Sequence, residues 1–128
     1  MKTILLVDDS RVTREVLKVY LVAKDIVVVD AVDGAEALAK VRAARPDLVL
    51  ADLRMPKLDG CGLCEALRAD PRTRDVPVVI LTSDRDPETA RRCRAAGARE
   101  VLQKPIQPQP LLDAIHRHVA PPGAPVLP

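Results

Sequence analysis

Apolar and polar residues alternate in two distinct rhythms along the 128-residue chain. Short runs rich in β-branched residues, at positions 3–7, 26–31, 48–51, 78–81 and 101–103, predict five strands. Four of these runs are continuously apolar, the pattern of strands covered on both faces of a parallel sheet, while the run at Val101 is weaker. Helix patterns with their own start and stop signals lie between them. Asp33-Gly34-Ala35-Glu36 is an N-cap followed by Glu in capping-box spacing, and Ala35, Leu38 and Val41 continue on one face. Asp86-Pro87-Glu88 starts another helix with proline at its first position, Ala90 and Cys93 spaced inward and Gly97 as its stop. Pro108 and Pro110 are tolerated at the start of a last helix, because first-turn amides have no intrahelical partner; Leu111, Ile115 and Val119 form its apolar stripe.

Strict strand–helix alternation with short loops and right-handed crossovers predicts an α/β doubly wound sheet with helices on both faces. A closed barrel would need about eight such units. No internal repeat is present. Residues 1–119 read as one domain, and 120–128 as a Pro-rich flexible tail that is either a terminus or the stub of a linker.

Composition narrows the partners. The 20 basic and 18 acidic residues are dispersed, so no polybasic arm marks direct nucleic-acid binding. Tyr20 is the one aromatic residue, which also weakens a case for base stacking and leaves Val, Leu, Ile and Ala to build the core. The apolar run at Ile4 to Val7 is too short for a signal or membrane segment, and three cysteines fit a reducing compartment, so a cytoplasmic location is expected.

In such a sheet ligands bind beyond the carboxyl ends of the strands. Asp8 and Asp9 follow the first run, Asp52 the third, Thr82 and Ser83 the fourth, and Lys104 the fifth. With strand order 2-1-3-4-5 these side chains converge on one crevice. Two like charges near 4 Å repel by about 4 kcal/mol at an effective dielectric of about 20, so the crevice requires positive charge. Lys104 supplies one; the remaining all-oxygen set suits Mg²⁺, and no His or Cys stands at these strand ends to favour zinc. A carboxylate beside Mg²⁺ and an ammonium can attack phosphorus. Asp52, alone on the central strand, is the best nucleophile, while paired Asp8 and Asp9 suit the metal and its waters.

The segments ILLVDDS, VLADLRMPKLDG, VVILTS and VLQKPI, in this order, resemble the receiver domains of two-component response regulators, such as the chemotaxis regulators, from about Lys2 to Val119. The resemblance implies a flavodoxin-like fold and phosphorylation of Asp52 by a sensor histidine kinase or a small acyl phosphate. It assigns Asp9, Asp52 and the Arg54 carbonyl to Mg²⁺, with Asp8 acting through water. Lys104 and Ser83 are assigned to the phosphoryl oxygens. The Thr82 hydroxyl would swing toward the phosphoryl group, Lys104-Pro105 would be cis, and Gly60 would serve the turn after the third strand. The downstream protein target would be met through the helix 4, strand 5 and helix 5 face, and a homodimer stays open. Catalysis would be confined to self-phosphorylation and slow autodephosphorylation.

Departures from the family pattern matter. Val101 stands where the family usually has an aromatic ring that rotates inward, so a switch must use backbone and aliphatic packing. Ile106 replaces another common aromatic. Arg54 and Asp84, two residues after Asp52 and Thr82, border the path of the hydrolytic water in this family, and a pair between them would slow entry and hydrolysis. Arg91, Arg92, Arg94 and Arg99 gather around the fourth helix, where an acidic partner surface competes with a plain solvated face.

Cys61 and Cys64 share one helix face, but no second pair completes a zinc site; core packing is expected, and a redox role would need a position at a helix start. His116 and His118, two apart on a helix, diverge and read as surface residues. Two other functions compete with this reading. A phosphorylation-independent interaction module of the same fold is favoured by Val101 and opposed by intact Asp9, Asp52, Thr82 and Lys104. A phosphohydrolase with an aspartate nucleophile would usually carry a second aspartate where this chain has Arg54, and a cap domain for which there is no room.

Overall fold

Adjacent residues of a strand point to opposite faces of its sheet, so a strand with helices on both sides must be apolar at every position. In the computed structural model, which describes residues 2–22 and 24–119, this is how the central strands are used. β1 (Lys2–Val7), β3 (Leu48–Asp52) and β4 (Val78–Thr82) send Leu5, Val7, Val49, Ala51, Val78 and Ile80 to one core, and Ile4, Leu6, Leu48, Leu50, Val79 and Leu81 to the other. The sheet is parallel, in the order β2-β1-β3-β4-β5, with β2 (Ile26–Ala31) and β5 (Glu100–Gln103) at its edges. Helices α2 (Gly34–Ala44), α3 (Gly60–Ala69) and α4 (Pro87–Ala96) close the first core, and α1 (Arg11–Leu21) and α5 (Pro108–His118) close the second.

The helix signals act as expected. Asp33 accepts from the Glu36 amide, Asp86 from that of Glu88 with Pro87 first in the helix, and Gly97 ends α4 at a φ of 124° that favours glycine. Leu111, Ile115 and Val119 are all buried. The 120–128 tail lies outside the described residues.

Three expectations are corrected. The 26–31 run is not covered on both faces: β2 is an edge strand, and Val27 and Val29 are exposed, since α2 shields only part of that side. On α2 the buried line is Gly34, Ala37 and Val41, while Ala35 is exposed, because Gly34 rather than Ala35 sits against the chain. His118 is half-buried, its Nε2 2.8 Å from Glu100 Oε1; Arg117 Nη2 and Glu100 form the neighbouring ion pair, which helps fasten α5 to β5.

Gly34 marks the closest approach of α2 to the β3–α3 loop: a Cβ there would stand 2.1 Å from the Leu58 carbonyl oxygen. Backbone cannot yield as a side-chain tip can. Gly34→Ala is expected to lower stability by about 1–3 kcal/mol in urea denaturation despite alanine's better helix propensity; an unchanged midpoint would show that the loop moves freely.

Candidate functional site

The strand register sets the crevice. Val7 pairs with Ala51, Asp52 with Leu81 and Thr82 with Gln103, so the strands β1, β3, β4 and β5 end at one level. Asp52 and Thr82 are the last residues of their strands, while Asp8, Asp9 and Lys104 come just after theirs. Asp8 is buried, and Asp9, beside it, is exposed.

Carboxylate oxygens of Asp8, Asp9 and Asp52 all lie within 4.8 Å of one another. Lys104 Nζ stands 3.2 Å from Asp52 Oδ1 and 3.4 Å from Asp8 Oδ2. One ammonium cannot offset three carboxylates. Burial, only partly countered by Lys104, pushes the Asp52 carboxyl above its usual range, and the charges of Asp8 and Asp9 push in the same direction. The residual negative charge and all-oxygen donors fit a small hard divalent cation.

Asp8 is held on several sides. Its Oδ1 accepts from the Ser10 amide at 2.8 Å, and its carbonyl accepts from Arg14, whose Nε also donates to Asp30 Oδ2 at 3.1 Å. Arg14 is buried and was missed from the sequence; Ser10 as the N-cap of α1, with Arg14 one turn on, was the available signal.

On the opposite rim, Thr82 is buried and its Oγ1 accepts from the Asp84 amide at 3.0 Å. Ser83 is exposed. Arg54 and Asp84 do pair, Nη2 to Oδ2 at 3.4 Å. Asp84 also accepts from the Asp86 amide and the Thr89 hydroxyl, and these bonds, with Arg54 and Arg92 behind them, hold its carboxyl below the usual range. The Lys104-Pro105 peptide is cis. Gly60 opens α3 rather than the preceding turn: its amide donates to the Leu53 carbonyl at 2.8 Å, and a Cβ there would meet the Asp52 carbonyl at 2.9 Å.

A second feature was not read from the sequence. Val12, Val16 and Val19 of α1 are 74%, 44% and 69% exposed, an unusual solvent face for valine. Val12 and Val16, with Tyr20, Lys104, Pro105 and Ile106, line a groove of about 220 Å³ that adjoins the crevice through Lys104.

Comparison with known proteins gives a consistent result. The model of the response regulator receiver domain family matches residues 4–116. Protein PilG of Pseudomonas aeruginosa is 32% identical over 116 residues, covering 91% of this chain and 86% of PilG. Several further curated relatives are much longer, and this chain spans 13% to 47% of them. Among solved structures, the Vibrio cholerae chemotaxis protein CheY4 aligns with a TM-score of 0.85 at 35% identity, covering 92% of this chain and 98% of that one. The receiver domain of the sensor histidine kinase PA1611 from Pseudomonas aeruginosa, solved with a magnesium ion coordinated in its active-site cleft, aligns with a TM-score of 0.86 at 30% identity, covering 94% of this chain and 98% of that one.

Removing Lys104 leaves buried Asp8 and half-buried Asp52 without their shared cation. In metal-free buffer at pH 7, Lys104→Ala is expected to cost about 2 kcal/mol, less than a fully buried pair because the ammonium is partly solvated. Adding Asp52→Asn should recover part of that loss; a double mutant as unstable as the two single losses summed would show that the charges are uncoupled.

Proposed function

The chain belongs to the response regulator receiver domain family of two-component signalling, and on that premise we propose that Asp52 is its phosphoacceptor, phosphorylated by a sensor histidine kinase or a small acyl phosphate. The observation that carries this reading is the sharing of Lys104 between Asp52 and Asp8, inside a set of three carboxylates too negative to be satisfied by one lysine. Asp8, Asp9, Asp52 and the Arg54 carbonyl are the groups that would hold Mg²⁺, which when bound supplies the positive charge that lets a carboxylate and a phosphoryl group approach.

Asp52 attacks phosphorus in line, the bond to the donor breaks, and an aspartyl phosphate remains. Lys104 then exchanges its contact with Asp52 for one with a phosphoryl oxygen. The Thr82 hydroxyl, which in the resting state accepts from the Asp84 amide, turns to donate to another phosphoryl oxygen, and Ser83 at the rim contributes to the same anion. With Val101 in place of an aromatic, the signal passes through backbone and aliphatic packing on the α4, β5 and α5 face, where the exposed Arg91 and Arg94 would meet a downstream protein target. A phosphorylation-independent interaction module is not favoured, because Asp9, Asp52, Thr82 and Lys104 are all intact at the strand ends.

The valine face of α1 is where we place the phosphodonor protein, since its groove shares Lys104 with the crevice and a docked helix there would present its phosphohistidine to Asp52. The domain's own chemistry is limited to self-phosphorylation and slow hydrolysis. Its three free thiols suit the cytoplasm, and no described helix is long and apolar enough to cross a membrane.

Incubation with acetyl phosphate and Mg²⁺, followed by intact-mass measurement, should reveal one labile phosphoryl group that a chelator prevents. Asp52→Asn should not acquire it; an equally labelled Asp52→Asn protein would end this reading. With a phosphorylated histidine-kinase donor, Val16→Glu should slow labelling at least several-fold while leaving the acetyl phosphate reaction unchanged. The Arg54–Asp84 pair screens the site, so Arg54→Ala should shorten the aspartyl-phosphate lifetime several-fold, and an unchanged lifetime would remove that role.

A further inference from the structure

Helices α3 and α4 lie side by side over one face of the sheet, and three buried cysteines meet near their seam. Cys61 Sγ and Cys93 Sγ are 3.5 Å apart, although 32 positions separate them in sequence. We propose that Cys61 and Cys93 form a redox pair that closes reversibly to a disulfide when a hydroperoxide reaches Cys61. This inference goes beyond the phosphoacceptor reading and does not depend on it.

Proximity is the first support. A disulfide needs its sulfurs about 2.05 Å apart, so an approach of about 1.5 Å is required, within reach of side-chain rotation and a slight closing of the seam. The second is a division of roles. Cys61 is 7% exposed and Cys93 fully buried, so an oxidant reaches Cys61 first. Cys61 is also the second residue of α3, and the Arg92 guanidinium of α4 lies beside its sulfur. Burial pushes the Cys93 and Cys64 thiols up to about 12, which keeps both protonated at rest.

The position at a helix start that a redox role demands is therefore present, but the partner is Cys93 and not the Cys64 of the sequence CxxC. A thiol metal site is a poorer reading. Among the described residues the group that brings three metal-binding atoms together is the carboxylate cluster, not the cysteines.

The chemistry balances with a hydroperoxide as the two-electron oxidant. Cys61 sulfur attacks the terminal peroxide oxygen; the S–O bond forms, the O–O bond breaks, and the departing oxygen takes the Cys61 proton and leaves as an alcohol, or as water from hydrogen peroxide. Cys93 sulfur then attacks the Cys61 sulfenic acid; the S–S bond forms, the S–O bond breaks, and hydroxide leaves with the Cys93 proton as water. A thiol reductant reverses the result by exchange. The bond would join the start of α3, which packs on the Asp52 carbonyl through Gly60, to the turn of α4 that follows Thr89, the residue bonded to Asp84. Both rims of the crevice would thereby be tied together.

The test uses the folded full chain and hydrogen peroxide. After oxidation, quenching and denaturation, one maleimide-reactive thiol should remain in place of three, non-reducing peptide mapping should show a Cys61–Cys93 link, and dithiothreitol should restore all three thiols. Cys64→Ala should retain the link, and Cys61→Ala and Cys93→Ala should each lose it, with circular dichroism confirming that each variant is folded. Amide exchange in the first turns of α4 should slow in the oxidised protein. A Cys61–Cys64 link, links between chains only, or three thiols surviving in oxidised wild-type protein would overturn the proposal, the last irrespective of any variant's folding.

Discussion

Three carboxylates crowded at the ends of two neighbouring strands are an electrostatic liability, and much of the structure near them answers it. Lys104 sits between Asp8 and Asp52 because β5, although separated from β1 by two strands, ends at the same level. Arg14 and the Ser10 amide hold Asp8 in place although it is buried. Burial, with the charges of Asp8 and Asp9 that Lys104 leaves uncompensated, keeps the Asp52 carboxyl above its usual range, and the residual negative charge fits a divalent cation. A scaffold that instead satisfied every charge internally would have nothing left to attract one.

Rigid support for this arrangement comes from close backbone contacts. Gly60 lets α3 begin directly on the Asp52 carbonyl, and Gly34 brings α2 onto the Leu58 carbonyl. The other rim is held by side-chain bonds: a chain of polar contacts runs from buried Thr82 through Asp84 to Thr89 and the exposed Arg54. Polar contacts near solvent exchange partners readily, whereas packed backbone does not. The β4–α4 side, next to the helix that carries Cys93 and the exposed arginines, is thus held by a different kind of contact.

The absence of Phe and Trp shapes the core. Val101 and Ile106 both pack into aliphatic clusters. Small side chains at the α3–α4 seam, among them Cys61, Cys64, Cys93 and Ala96, allow the two helices to approach. That approach brings two distant thiols into contact.

The element order, the parallel sheet and the residues lining the crevice were legible in the chain, because periodicity, capping residues and polar positions after apolar runs are local properties. Asp33 and Asp86 announced their helices in this way, and Asp8, Asp9, Asp52, Thr82 and Lys104 were recognisable from strand ends alone. Distances and partners were not. How much of 26–31 the helices cover, whether His118 faces Glu100, whether Arg14 supports Asp8, and whether Cys61 lies against Cys64 or Cys93 all depend on which surfaces meet across the sheet and between helices. Sequence spacing reports the face a side chain takes on its own element; only the packing of one element on another decides what lies opposite.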